Sequence, residues 1–345
     1  MSFIRAVFVC VTAVLAVTEV STAQSGVVAE PVPSNRQIKF SVGPSFGYNV
    51  GHTTYDFAIG VPGAASGEIA YLRSELEFPV DQFMAGGAVR LQSFLGDVED
   101  WSLMLSGLIS ANNPGGTMTD IDWVRVVDGY GGTFSHTESS SEGSNLIVNF
   151  QFTKRLVGRT RHSIGVAAGF RYQRIRQDID NFAGWQVPYY QPTPTRVEFE
   201  VNNVPALEYR VTYVMPMAGL HLVLRPSRAV SVDARALYAL TMADDFDDHL
   251  LRNKEATADG RGSGFVGSLR ADWLLRERAP GSRPFIGVEA EVVTLTVEGD
   301  QKQVWYDDEV VQGEVIVPRG TVYSGLPHDF ISTQYRVGLR FGFRF

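Results

Sequence analysis

The segment TQYRVGLRFGFRF, residues 333–345, constrains the fold more than any other. Tyr335, Val337, Leu339, Phe341, Phe343 and Phe345 share one parity, and Arg336, Gly338, Arg340, Gly342 and Arg344 share the other. Successive side chains of a strand point to opposite faces, so this is a strand with one apolar, aromatic face and one face of glycine and arginine. A half-buried strand of a soluble sheet would explain the alternation, but not a row this aromatic running to the terminal residue. Bacterial outer-membrane barrels commonly close on such a strand. The expectation is that the apolar row faces lipid and the arginine row faces a polar lumen.

The pattern recurs upstream. IKFSVGPSF sets Ile38, Phe40, Val42 and Phe46 against Lys39, Ser41 and Gly43. YLRSELEFPV, WSLMLSGLIS, NLIVNFQFT, SIGVAAGFRY, EYRVTYVMPMAGLHLVL, VSVDARALYAL, FVGSLRADWLL and FIGVEAEVVTL continue it, and with the last strand they make ten. Glu75, Asp233, Arg235, Arg270, Glu289 and Glu291 fall on the polar rows. A soluble barrel would fill its inside with Val, Ile and Leu instead. The predicted fold class is therefore all-β, a ten-stranded antiparallel transmembrane β-barrel. Several strands exceed the roughly 10 residues a bilayer needs, so the barrel is expected to project above the outer membrane. Short connections such as VGRTR and RPSR alternate with long polar ones near 56–67, 111–145, 179–204, 244–263 and 301–328. In such barrels short turns face the periplasm and long loops the outside. Ten strands also enclose a lumen far narrower than a porin's.

The opening residues MSFIRAVFVCVTAVLAVTEVSTAQ place Arg5 before an apolar run from Ala6 to Val17, followed by the small residues of STA. This reads as a secretory signal peptide, residues 1–23, which leaves 24–345 as a single barrel domain. Cys10, the one cysteine, lies within it. The mature chain is thus expected to carry no disulfide, zinc-thiolate site or cysteine nucleophile. No other stretch holds 18 uninterrupted apolar residues, so no membrane-spanning helix is expected beyond the signal. Net charge is −8 with scattered basic residues, which argues against a nucleic-acid partner.

Two acidic patches fall in the long connections. In NNPGGTMTDIDWVRV, Asp120 and Asp122 are one residue apart, so both carboxylates of an extended segment point the same way. In ADDFDDHL, four aspartates crowd His249. By strand parity both patches belong at the outer rim. A histidine held by a carboxylate can take a proton near neutral pH, and two adjacent carboxylates can share one, so a water between the groups would be a nucleophile. Solvated acids bridged by divalent cations, on a non-catalytic barrel serving adhesion, surface structure or cation binding, are the other reading. The residues alone leave both open.

With TDIDW after the third strand and DFDDHLLR after the seventh, the chain resembles the omptin family, outer-membrane endopeptidases of Gram-negative bacteria whose pattern is D-x-D-W and D-x-H. The resemblance implies cleavage of peptides or proteins at the cell surface by a monomer, with the active site outside and no metal or other cofactor in the reaction. Asp247 would orient His249, His249 with Asp120 would activate the attacking water, and Asp122 would support the carboxylate pair. Asp245 would supply part of an acidic pocket favouring Arg or Lys beside the cut. The glutamate that completes that pocket in the family has no counterpart near Gly51 and His52. Of the family's lipopolysaccharide-binding cluster Arg174 matches, whereas Phe170, Tyr172 and Thr212 depart from it. His136 is a further candidate for the cleft and His52 for the rim; His162, His221 and His328 read as structural. Trp123 is expected to pack under the site.

Overall fold

A computed structural model describes residues 36–345 except 62, 97, 114–115, 189–194, 278–280 and 312–313; the expected signal peptide lies outside the described residues. The long strands are β1 (Arg36–Gly60), β2 (Ile69–Pro79), β3 (Gln82–Leu95), β4 (Val98–Ser110), β5 (Gly116–Val126), β6 (Gly131–Arg159), β7 (His162–Gln186), β8 (Val197–Leu224), β9 (Val230–His249), β10 (Lys254–Leu274) and β11 (Arg283–Trp305). A small hairpin of β12 (Glu309–Val311) and β13 (Glu314–Val317) precedes β14 (Val322–Arg344). Hydrogen bonds run around the ring β1-β3-β4-β6-β7-β8-β9-β10-β11-β14 and back to β1, all antiparallel, which is the expected ten-stranded barrel. The ring closes at the backbone of Phe40 and Phe345, which exchange N–H···O bonds of 3.1 and 2.8 Å. Within the belt no described strand of the ring is left with an unpaired edge, as a wall inside a bilayer requires.

Two of the ten staves are broken midway. At the end of the barrel holding Arg36 and Phe345, the near end, β1 pairs with β3 and β6 with β4. Towards the far end β1 pairs with β2 and β6 with β5, and β2 pairs with β5, so the count stays at ten. The first break falls at Pro79, which has no N–H for a ladder. There β1 kinks at Gly51, whose φ is +130° and where an added Cβ would lie 2.1 Å from the Thr333 carbonyl oxygen. The kink is held by the Val80 N–H bonded to the Gly51 carbonyl and by the Asp81 carboxylate, which accepts the Gly51 N–H at 3.0 Å.

Burial is inverted relative to a soluble protein. Ile38, Phe40, Val42 and Phe46 are exposed while Ser41, Ser45 and Asn49 between them are buried. On β14, Tyr335, Val337, Leu339, Phe341 and Phe343 are exposed while Gln334, Arg336 and Arg340 are buried. The near half of the lumen is a lattice of ion pairs. Arg90 meets Glu99 at 2.9 Å and Asp233 at 3.2 Å, Arg171 meets Glu291 at 2.7 Å, and Arg336 meets Glu291 at 3.3 Å. His221 belongs to it through Asp233 at 3.0 Å, whereas His162 starts β7 exposed. Towards the far end the lumen fills instead with Tyr55, Phe78, Tyr209, Val211, Tyr213, Leu237 and Phe330. Phe78 and Tyr209 stack at 3.9 Å with their planes 5° apart.

One expectation is corrected here. The stretches read as long loops are largely strand: β1 continues to Gly60, β6 begins at Gly131, and β9 and β10 meet across only Leu250–Asn253. Beyond the lipid belt the outward face turns polar, as Glu255, Thr257, Asp259 and Arg261 of β10 do, so the apolar outward row vanishes while the backbone ladder goes on.

The lipid-facing row on β14 generates a test. Val337, 66 % exposed, points outward amid that row. Val337→Arg should destabilise the folded barrel by about 2–4 kcal/mol in urea titrations from lipid vesicles, the cost of a cation on the lipid face near the midplane. A change near zero would contradict the assignment of this face.

Candidate active site

Along β9 the outward residues turn polar at Asp244, which sits in register with Asp259 of β10 and Thr212 of β8; Asp259 in turn faces Asp300 of β11. Everything from this ring to the far end stands clear of the apolar belt. From here the crowded aspartates divide by parity. Asp245, Asp247 and His249 turn inward, while Asp244 and Asp248 turn outward. Asp248 accepts a hydrogen bond from the Tyr306 hydroxyl at 3.1 Å. A short 3₁₀ turn, Leu250–Arg252, follows, and Asn253 with φ 52° reverses the chain into β10. Asn tolerates that left-handed conformation better than most residues.

Asp247 is completely buried, and one oxygen, Oδ2, accepts two bonds: from the Tyr55 hydroxyl at 2.6 Å and from His249 Nε2 at 2.9 Å. Tyr55 comes from β1, so this bond crosses the lumen. Burial works to raise the Asp247 pKa, yet the facing His249 and the two hydrogen bonds outweigh it and hold the carboxylate below its ordinary value. His249 is shifted the other way. Burial lowers its pKa and the neighbouring Lys254 adds to that, while Asp247 opposes. With Nε2 committed to Asp247, neutral His249 carries its lone pair on Nδ1, the nitrogen free to take a proton.

On the facing wall, Asp120 and Asp122 of β5 project inward between the buried Met118 and Val124. Asp122 is raised by burial, with the Ser74 hydroxyl hydrogen bond opposing. Asp120 lies well above the usual carboxylate range, first through burial and then through the charges of Asp122 and Asp247. Asp120 Oδ1 and Asp247 Oδ1 are buried and accept no hydrogen bond among the described residues. Buried carboxylate oxygens without donors are costly unless a donor such as water or substrate occupies the site. Asp120 and His249 line one cavity of about 190 Å³.

Other predicted residues sit elsewhere. Asp245 shares the inward row, but its side chain is 1 % exposed; Oδ1 accepts the Ala258 N–H at 2.9 Å and Oδ2 lies 3.2 Å from His328 Nε2. Burial raises its pKa and His328 opposes. His136 faces away from the buried Ser135 and Ser139, outside the cleft, and stacks on Trp185. His52 likewise faces away from Thr53 and Tyr55. Trp123 lies on the face of β5 opposite the aspartates, with the Arg73 guanidinium 4.7 Å above its ring, rather than under the site. Arg174 points outward from β7 and is exposed, next to Thr212 at the level where the outer face turns polar.

Three neighbours of the site did not come from the sequence. Tyr55 gave no motif signal. His328, inside β14, is packed against Tyr55 with ring centroids 5.0 Å apart. Lys254, paired with His249 across the β9–β10 turn, is buried over the Trp305 ring at 5.7 Å. Burial and the nearby Arg252 bring its pKa down to about 8. Among the described residues no group of three or more His, Asp or Glu side chains is placed to hold a metal ion.

A model of the omptin family matches residues 50–273. The crystal structure of outer membrane protease OmpT from Escherichia coli is similar in fold, with a TM-score of 0.65 at 13 % identity, covering 92 % of this chain and 100 % of that one. A Pseudomonas aeruginosa FadL homologue aligns over 89 % of this chain and 90 % of its own at 8 % identity, but its TM-score of 0.22 is too low to carry an argument. No curated protein sequence matches the chain.

The Asp247–His249 pair can be read directly. By NMR, His249 should titrate below the ordinary histidine value of about 6.5. In Asp247→Asn the value should fall further, because the anion that favours the imidazolium is gone. A rise on that substitution would contradict the pairing.

Proposed function

The chain belongs to the omptin family of outer-membrane proteases, and we propose that it hydrolyses peptide bonds with a water activated between His249 and Asp120. The observation that carries this reading is convergence: two segments far apart in sequence supply His249, held by the buried Asp247, and Asp120, beside Asp122, to one cavity. His249 Nδ1 takes a proton from the water as its oxygen attacks the scissile carbonyl carbon. The imidazolium that forms faces Asp247, whose carboxylate is ionised and already bonded to Nε2, so the new charge is stabilised where it appears. His249 then returns the proton to the leaving amine as the carbon–nitrogen bond breaks. Asp120 and Asp122 titrate as a pair, because like charges in a buried site resist full ionisation. Asp120 Oδ1 accepts a hydrogen bond from the water, while the proton shared by the pair offsets charge developing on the carbonyl oxygen.

The far end faces the cell exterior in this reading. Support comes from projection, because at this end the strands run on past the apolar belt, whereas at the near end the chain turns back after two residues between β6 and β7. Substrates are peptides or proteins met at the surface. Within the apolar belt the closed ring leaves no described strand edge open, which supports a monomer. Arg174, exposed at the boundary of the apolar belt, supports contact with the anionic headgroups of lipopolysaccharide. The expected preference for basic residues required an open acidic pocket at Asp245, and the 3.2 Å contact with His328 bears on that below.

The test is hydrolysis by the barrel refolded in detergent micelles and supplied with a mixed peptide library. His249→Ala should lower kcat/KM at least ~10²-fold, the usual size of a general-base contribution. Equal turnover by the variant would sink the proposal.

A further inference from the structure

We infer that this protease cuts beside an apolar residue rather than beside arginine or lysine, because its own side chains fill the acidic pocket and the open cavity at the reacting groups is apolar. The inference rests on the function proposed above and names the substrate class of that same site.

The acidic pocket is closed by packing. Asp245 shows 1 % of its side chain and both its oxygens are engaged, by the Ala258 N–H and by His328. His328 is itself fully buried, between Tyr55 and Phe330, whose ring centroids lie 5.0 and 4.4 Å from its own. Tyr55 covers the same region and spends its hydroxyl on Asp247. A guanidinium seeking Asp245 would have to displace two side chains of the barrel core, then share a buried anion with an imidazole. Asp247 offers no substitute, since it is completely buried and its Oδ2 already serves Tyr55 and His249.

The charges around the reacting groups point the same way. Arg252 lines the cavity, its guanidinium paired to Glu309 at 2.9 Å, and Lys254 is buried beside His249, so the wall already holds cationic side chains. A second basic group would be repelled, and only Asp120 of the cavity wall could compensate. Asp120 is raised well above the usual range by burial and by the neighbouring carboxylates, so it is a poor anion to pair with lysine.

What remains open is apolar. The cavity shared by Asp120 and His249 is otherwise lined chiefly by Met118, Ile179, Phe182, Phe199, Leu207 and Leu251. These come from four different segments of the far end, so they form a walled recess rather than a stripe on one strand. A leucine, methionine or phenylalanine of the substrate placed there would leave its peptide bond beside the water. A charged side chain would lose its hydration with no partner.

Wild-type barrel, incubated with a peptide library and analysed by mass spectrometry, should cut chiefly at bonds flanked by Leu, Ile, Met or Phe. Those cuts should be missing with His249→Ala. Leu251 is 52 % exposed on the rim of the recess, so Leu251→Glu is compatible with the fold. It should lower kcat/KM for the best apolar peptide about 10-fold or more, the scale on which a hydrophobic pocket discriminates. Cuts flanked mainly by Arg or Lys, or unchanged apolar cleavage in Leu251→Glu, would overturn this inference and leave the protease standing. No cut at all by wild type would overturn both.

Discussion

A strand in lipid must send every second side chain outward to the acyl chains, and so must send the rest into the lumen. That constraint organises this molecule. Because the rows facing lipid take Phe, Leu, Val and Tyr, the charged and polar residues of each strand are forced inside, where they must satisfy one another. The near half does so with arginine–carboxylate pairs, and a pair there is worth keeping mainly because losing one partner strands the other charge. The far half meets the same demand differently, with an aromatic core that closes the lumen beneath the site.

The site inherits its geometry from that continuity. Parity runs unbroken along β9 out of the lipid belt, so the row that delivers Asp233 and Arg235 to the lumen also delivers Asp245, Asp247 and His249 to the mouth. The strand break at Pro79 lets β2 and β5 replace β3 and β4 in the far-end wall, which brings Asp120 and Asp122 round to face the cavity. The Tyr55–Asp247 bond then ties β1 to β9 across the lumen, so the histidine is oriented by a carboxylate that is itself held from the opposite wall. Such support is what a preorganised base requires.

Much of this was legible in the residues, and for a definite reason. Period-two alternation reports which residues share a face, so it yielded the barrel, its polar lumen and the shared direction of Asp120 and Asp122. Alternation does not report which faces oppose one another across a closed ring. That the two motifs meet was implied only by the family resemblance. Tyr55 and His328 stayed hidden because their carboxylate partners lie 192 and 83 residues away in sequence. Trp123 was misjudged because parity was applied only to the aspartates beside it; as a strand, β5 puts it on the outer face, as β6 does His136. The engagement of Asp245 stayed hidden for a related reason. An aspartate at the right spacing says where a carboxylate is, not whether a histidine from the last strand already occupies it.

The account stands on His249 and Asp120 acting on one water as a unit. Comparing kcat/KM for His249→Ala, Asp120→Ala and the double variant tests this most directly. If both groups serve the same water, the double variant should be little worse than either single one, because the first loss already removes what the second supports. Losses that multiply, or an Asp120→Ala enzyme that keeps full activity, would contradict it.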